Sequence, residues 1–191
     1  RPPPVAVAGE HDYLTETHAQ AEAFMRTVAG KLLRGAREGR LGAAFFIDYG
    51  FPEVEYYHPQ RHMGTVMCHR AHQSDTDPLS DVGLKDITAH VNFTGIALAG
   101  QEAGLEVLGY TSQGRFLFNC GLARLMAPDE TAADTPEALA RRVQASKLVM
   151  EHEMGELFKV IGFATRDVTG ASPWADAPAL GFTSGDRTHA L

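Results

Sequence analysis

Three short apolar runs, 42–47, 105–110 and 157–164, are spaced so that each pair leaves room for a helix, and this alternation constrains the fold more than any other feature. Each run is too short for a buried helix and too continuous for a surface strand, the pattern of a strand covered on both faces. Between Thr17 and about Gly35, Ala21, Phe24, Met25, Val28, Ala29, Leu32 and Leu33 recur at three-then-four spacing, which predicts a helix with one buried face. Thr17 with Gln20 predicts its capping box. Asn92 predicts the cap of a second helix carrying Phe93, Ile96, Ala97 and Ala103 and stopping at Gly104. Thr111 and Ser112 predict the cap of a third, carrying Phe116, Leu117, Cys120 and Leu122. Thr135, Pro136 and Glu137 predict the start of a fourth, running to about His152 and burying Leu139, Val143 and Leu148. Strands alternating with helices predict an α/β layered sheet.

At 191 residues and 44% apolar content the chain is long enough for one domain with its own core, without disulfides or structural metal. Seventeen Lys and Arg against 24 Asp and Glu give a net charge of -7, with no isolated basic cluster, which excludes nucleic acid and anionic membrane as expected partners. No apolar stretch approaches the ~20 residues of a spanning helix. Cys68 and Cys120, in dissimilar segments, fit a reducing, cytoplasmic setting. The start, Arg1 to Pro4, reads as extended and polyproline-like, carries no signal-peptide pattern and lacks an initiating Met.

The segment 51–85 has no sustained period and is dense in His, Tyr, Pro and Asp. Its aromatic content is foreign to disordered composition, so it is expected to be an ordered insertion. His58, His62, Cys68, His69 and His72 have the chemistry of metal ligands, but they form no recognised signature, and hydrogen bonding to the loop's own backbone is the plainer expectation. A serine elbow, a dinucleotide glycine fingerprint and a phosphate loop are all missing, which argues against serine hydrolases and nucleotide-phosphate sites.

In open α/β sheets ligands sit beyond the carboxyl ends of strands. Asp48 and Tyr49 occupy that place after the first run, where Asp48 either serves a site or caps the following turn.

Four segments together, GAAFFIDYGFPEVEYYHPQRHMGTVMCH (42–69), GLKDITAHVNFTGIA (83–97), GLEVLGYTSQGRFLFNCG (104–121) and EMGELFKVIGF (153–163), resemble the MidA-like family of S-adenosylmethionine-dependent methyltransferases in sequence and in order. The family occurs in bacteria and mitochondria, and its mitochondrial relative methylates an arginine of a respiratory complex I subunit. The resemblance runs over most of the chain, from about Tyr13 to the end, and is to the carboxyl-terminal half of such a protein only. It implies that residues 1–191 are the later part of one Rossmann-like class I methyltransferase domain, with the fifth, sixth and seventh strands near Phe45, Val107 and Val160. It also implies S-adenosylmethionine as cofactor, with most cofactor anchors on an upstream segment this chain lacks.

An arginine acceptor implied by the resemblance keeps its guanidinium protonated in water and needs carboxylates to aim it. Asp48 and Asp86 are the expected catalytic carboxylates, and His90 the expected proton acceptor, against the plainer reading of a core histidine. Tyr49 and Tyr57 are expected on the substrate side, since aromatic faces attract cations within about 6 Å. Arg61 is placed there too, ordering the loop by pairing an acid such as Glu53 or Glu55. The acidic, aromatic corner after Phe45 is thus expected to border the pocket where donor meets acceptor. The expected setting is the bacterial cytoplasm, with a protein substrate, no membrane, no bound metal and a possible homo-oligomer. A noncatalytic assembly module and a metal-dependent hydrolase using the loop histidines are the competing readings.

Overall fold

The protein is described here by a computed structural model over residues 12–127, 135–167, 169–172 and 179–191. The polyproline-like start expected at Arg1 to Pro4 lies outside these residues. The elements are α1 (Ala19–Arg37), β1 (Ala43–Phe51), α2 (Glu53–Tyr56), a 3-10 turn (Pro59–Arg61), β2 (Met67–Arg70), β3 (Gln73–Asp75), β4 (Asp86–Thr88) and β5 (Val91–Asn92). They continue with α3 (Phe93–Glu102), β6 (Glu106–Ser112), α4 (Gln113–Asn119), α5 (Leu122–Met126), α6 (Pro136–Val149), α7 (Met154–Leu157) and β7 (Phe158–Ala164).

All three apolar runs are strands of one mixed sheet, ordered β5-β1-β7-β6. β7 is antiparallel to both β1 and β6, so the last strand in sequence is inserted between two that run together. Helices cover both faces, as an α/β layered fold requires. On one face Phe46 meets Phe163 and Phe24 edge-on, above a core that includes Met25, Ala29, Phe93, Ile96 and Ile161. On the other face Phe45 lies against Phe116 of α4 and Phe182 of the tail. Among the described residues no helix is long and apolar enough to cross a membrane.

Local rules held at several caps. The Asn92 side chain accepts from Gly95 N, Ser112 from Arg115 N, and Thr135 from Ala138 N. They failed at α1, whose N-cap is His18 with no side-chain cap bond, because Glu16 and His18 are engaged by the insertion instead. The helix expected after Ser112 ends at Asn119, and Gly121, at φ 91°, turns the chain so that Leu122 starts the separate α5. The last long helix is shorter than expected and leaves Leu139 57% and Val143 53% exposed. It is held from its end, where Gln113 Nε2 donates to the Leu148 carbonyl, and among the described residues nothing covers that face.

The segment 51–85, aperiodic in sequence, carries α2, the 3-10 turn and the hairpin β2–β3, and with β4 it forms a separate three-stranded sheet ordered β3-β2-β4. Its period is hidden because the strands are three or four residues long and mostly exposed. The hairpin turns through Ala71 and His72, both at positive φ as the tightest hairpin turns demand. The tail, loop-like in composition, seals the outer edge of β6. Tyr110 N donates to Asp186, Arg187 N to the Tyr110 carbonyl, and Thr111 Oγ1 to the Gly185 carbonyl. A covered edge offers no template for pairing with another chain.

Candidate functional site

β1 does not stop at Asp48. Gly50 and Phe51 pair in parallel with Val91 and Asn92, so the backbone stays extended through Phe51 and Asp48 lies inside the strand. An added Cβ at Gly50 would stand 2.1 Å from the Val91 carbonyl oxygen, which explains glycine at this crossing. The pairing brings His90, which precedes β5, beside the end of β1 and builds an aromatic ledge there. Tyr49, 42% exposed, tilts against Phe158 with ring centres 4.0 Å apart. Phe51 stacks on His90 at 5.1 Å, and the Arg61 guanidinium lies over the Phe51 ring with its Cζ 3.8 Å from the ring centre. Tyr49 approaches His90 edge-on at 6.4 Å.

The Asp48 carboxylate is exposed beside this ledge, on the opposite face of the strand from Tyr49. Its Oδ1 accepts from Tyr49 N at 2.8 Å, and among the described residues it has no ion-pair partner. His90 is half-buried, and its Nδ1 is a buried atom with no hydrogen-bond partner. Burial first, and then the Arg61 guanidinium, push the imidazole below its ordinary value, outweighing the opposing pull of Glu16 and Asp48. Arg61 donates to the backbone carbonyl of Glu55 and no ion pair to Glu53 or Glu55 forms, so it orders the loop by stacking and a main-chain bond. Asp86 lies on the small sheet, opposite His69 of β2.

Tyr57 is elsewhere. It is only 8% exposed and forms a wall of a cleft of about 230 Å³ between the start of α1, α2 and α3. Glu22, Glu53 and Glu102 supply carboxylates to this cleft, and His18 and Asn92 line it as well. A second hollow, at the opposite ends of α1 and α3, is lined by Leu33, Arg37, Gly104 and Arg166. Neither hollow includes Asp48, so the ledge and the cleft are separate features on adjoining sides of α2.

The residue that joins them, Glu16, was missed by sequence reasoning. Its carboxylate accepts from Thr65 N at 2.6 Å, Val66 N at 2.9 Å and Tyr56 Oη at 2.9 Å. His18 Nε2 lies 2.8 Å from the same tyrosine oxygen. Thr65 Oγ1 in turn accepts from His90 N at 3.0 Å, so one carboxylate ties the segment before α1 to the insertion and, through Thr65, to the ledge. Burial works to raise the Glu16 carboxyl, but the bonds from Thr65, Tyr56 and Val66 outweigh it and hold it below 4.5. Gly64, at φ 76°, brings the backbone so close that a Cβ would meet Glu16 Oε1 at 2.4 Å. A single acid beside a capping position looks like helix-start chemistry in sequence, and only the loop folding back reveals its other role.

The loop histidines do other work. His58 Nδ1 accepts from Gln60 N to cap the 3-10 turn, the His62 carbonyl accepts from Leu14 N, and Cys68 is buried. Among the described residues no three His, Cys, Asp or Glu side chains gather to hold a metal ion, so the hydrolase reading lacks a donor set there.

Comparison with known proteins bears on the whole chain. The profile of the family described as "Putative S-adenosyl-L-methionine-dependent methyltransferase" matches residues 2–111. A crystal structure of a superfamily member from Burkholderia thailandensis, described as a methyl transferase candidate and bound to S-adenosyl-homocysteine, is 49% identical with a TM-score of 0.78. The match covers 97% of this chain and 44% of that one. A native crystal structure of an uncharacterized superfamily protein from the same organism is also 49% identical, with a TM-score of 0.76 over 94% of this chain and 44% of that chain. The chain therefore spans less than half the length of the solved structures it resembles. No curated protein matches it.

Proposed function

The chain belongs to this methyltransferase family, and on that premise we propose that it forms the acceptor-side portion of an enzyme that transfers a methyl group from S-adenosylmethionine to a protein arginine. The observation that carries the reading is the shared fold with an S-adenosyl-homocysteine-bound protein at 49% identity over nearly the whole of this chain. The described residues do not by themselves enclose such a cofactor. The cleft beside Tyr57 holds about 230 Å³, and Glu22, Glu53 and Glu102 would repel the cofactor's carboxylate.

The same electrostatics favour a cationic acceptor. A guanidinium is always charged, and it is stabilised by carboxylates and aromatic faces together. On this reading the exposed Asp48 carboxylate draws the acceptor guanidinium to the end of β1, and Tyr49, on the other face of the strand, offers its ring to the adjoining part of the substrate. Tyr57 and the cleft glutamates receive the neighbouring part of a basic peptide. His90, kept neutral, takes the proton that the acceptor nitrogen must lose. Asp86, on the separate sheet, receives no role. Cytoplasmic placement in a bacterium belongs to the same reading.

The test is made with the protein at the length it has in the cell, incubated with labelled S-adenosylmethionine and arginine-containing peptides, followed by amino-acid analysis. Labelled methylarginine supports the proposal. Label on another side chain overturns the acceptor, and failure to bind S-adenosyl-homocysteine in calorimetry overturns the activity.

A further inference from the structure

The insertion delivers a fixed positive charge to the end of the central sheet. Pro59–Arg61 forms a 3-10 turn capped by His58, the guanidinium of Arg61 is tethered to the Glu55 carbonyl, and its Cζ lies over Phe51, 3.8 Å from the ring centre. On Phe51, at 5.1 Å and 30° between planes, lies the imidazole of His90. The His90 backbone is anchored as well, because His90 N donates to Thr65 Oγ1, which in turn donates to Glu16. Its Nδ1 is buried and faces no acceptor.

We propose that Arg61 is a positioning residue for His90: seated on the Phe51 ring that stacks with the imidazole, it fixes that imidazole at the end of β1 as the group that accepts a proton. The charged groups facing His90 are Arg61 of the 3-10 turn, Glu16 of the segment before α1 and Asp48 of β1, with the Tyr49 ring at its edge. The two carboxylates favour the cation and Arg61 opposes them. Removing Arg61 leaves the carboxylates acting alone, so the balance tips toward imidazolium.

The physical claim stands on its own, and its use as a proton acceptor rests on the methyltransferase reading. The experiment is an NMR titration of the His90 ring in the full-length protein, its resonance identified by loss in H90Q. In the native protein His90 titrates below an ordinary histidine. Titration at or above the ordinary value overturns the proposal without any variant. Arg61→Gln moves the His90 midpoint upward, and Arg61→Lys, which keeps the charge, restores most of the native midpoint. An unmoved midpoint in a folded R61Q protein overturns it, as does an R61K midpoint equal to that of R61Q. In a methyl-transfer assay R61Q moves the acid limb of kcat/KM upward by the same shift as the ring titration. An inactive protein whose His90 midpoint still responds to Arg61 refutes the methyltransferase reading and leaves this inference standing.

Discussion

Asp48 and Lys159 stand directly opposite each other across β1 and β7, yet the lysine does not pair with the aspartate. The buried ammonium of Lys159 turns to Glu156, whose carboxylate lies 3.2 Å away and is also held by Arg187 at 2.6 Å. Asp48 is thereby left exposed and free to meet a cation from outside. Cross-strand neighbours of opposite charge ordinarily stabilise each other, so the diverted lysine is what makes this carboxylate available.

Because Asp48 is exposed and its only described side-chain bond is to the adjacent backbone, Asp48→Ala should leave stability within about 0.5 kcal/mol of native. Methyl transfer by the full-length protein should fall by at least about tenfold, the equivalent of about 1.4 kcal/mol. Paired denaturation and transfer assays check this. Native activity in a stable variant removes Asp48 from the site.

Glu16→Ala strips one carboxylate from three segments and leaves two loop N–H groups without acceptors. The expected cost is about 1–3 kcal/mol. Hydrogen exchange should rise around Thr65 and Val66 more than in the central sheet. Uniform change across the molecule would mean that Glu16 is no local tie.

Acid should weaken the same tie. Glu16 and Glu156 both bind protons less readily folded than unfolded, so their stabilisation is complete above 4.5 and is lost as pH falls through their lower folded values. Denaturant unfolding followed from about pH 6 to about pH 3 should show stability declining across the lower part of that range, less steeply in E16Q. Equal slopes in the two proteins would exclude Glu16 from the acid response.

At Gly50, alanine drives a methyl group into the Val91 carbonyl and toward the Phe93 ring. The substitution should cost about 1–3 kcal/mol and part β5 from β1. Thermal denaturation and the loss of Phe51–His90 contacts in NMR report it. A native-like G50A protein would mean the strand crossing is looser than described.

Phe182 is buried against Phe45, Phe116 and the glycines Gly109 and Gly162. Phe182→Ala should destabilise the domain by about 3–5 kcal/mol and free the tail from the β6 edge. Chemical denaturation measures the first, and proteolysis near Asp186 the second. A cost below about 1 kcal/mol would show the tail to be ornamental to the core.

The apolar runs, the stripe of α1 and the caps at Asn92, Ser112 and Thr135 were legible because each is a short-range pattern. Burial of a run and capping of a helix depend on residues within one or two turns. Resemblance in ordered motifs carried the family for the same reason, since motifs are strings. What the linear chain withheld depends on segments far apart meeting in space. The extension of β1 past Asp48 needed β5, forty residues on, to supply a pairing partner. The tie from Glu16 to Thr65 and His90 needed the insertion to fold back, and the diversion of Lys159 needed the tail's Arg187 to fix Glu156. The amino-acid order determined which elements form and to which family they belong, whereas tertiary packing decided which carboxylate stays free, because pairing and desolvation are set by neighbours that sequence distance does not reveal.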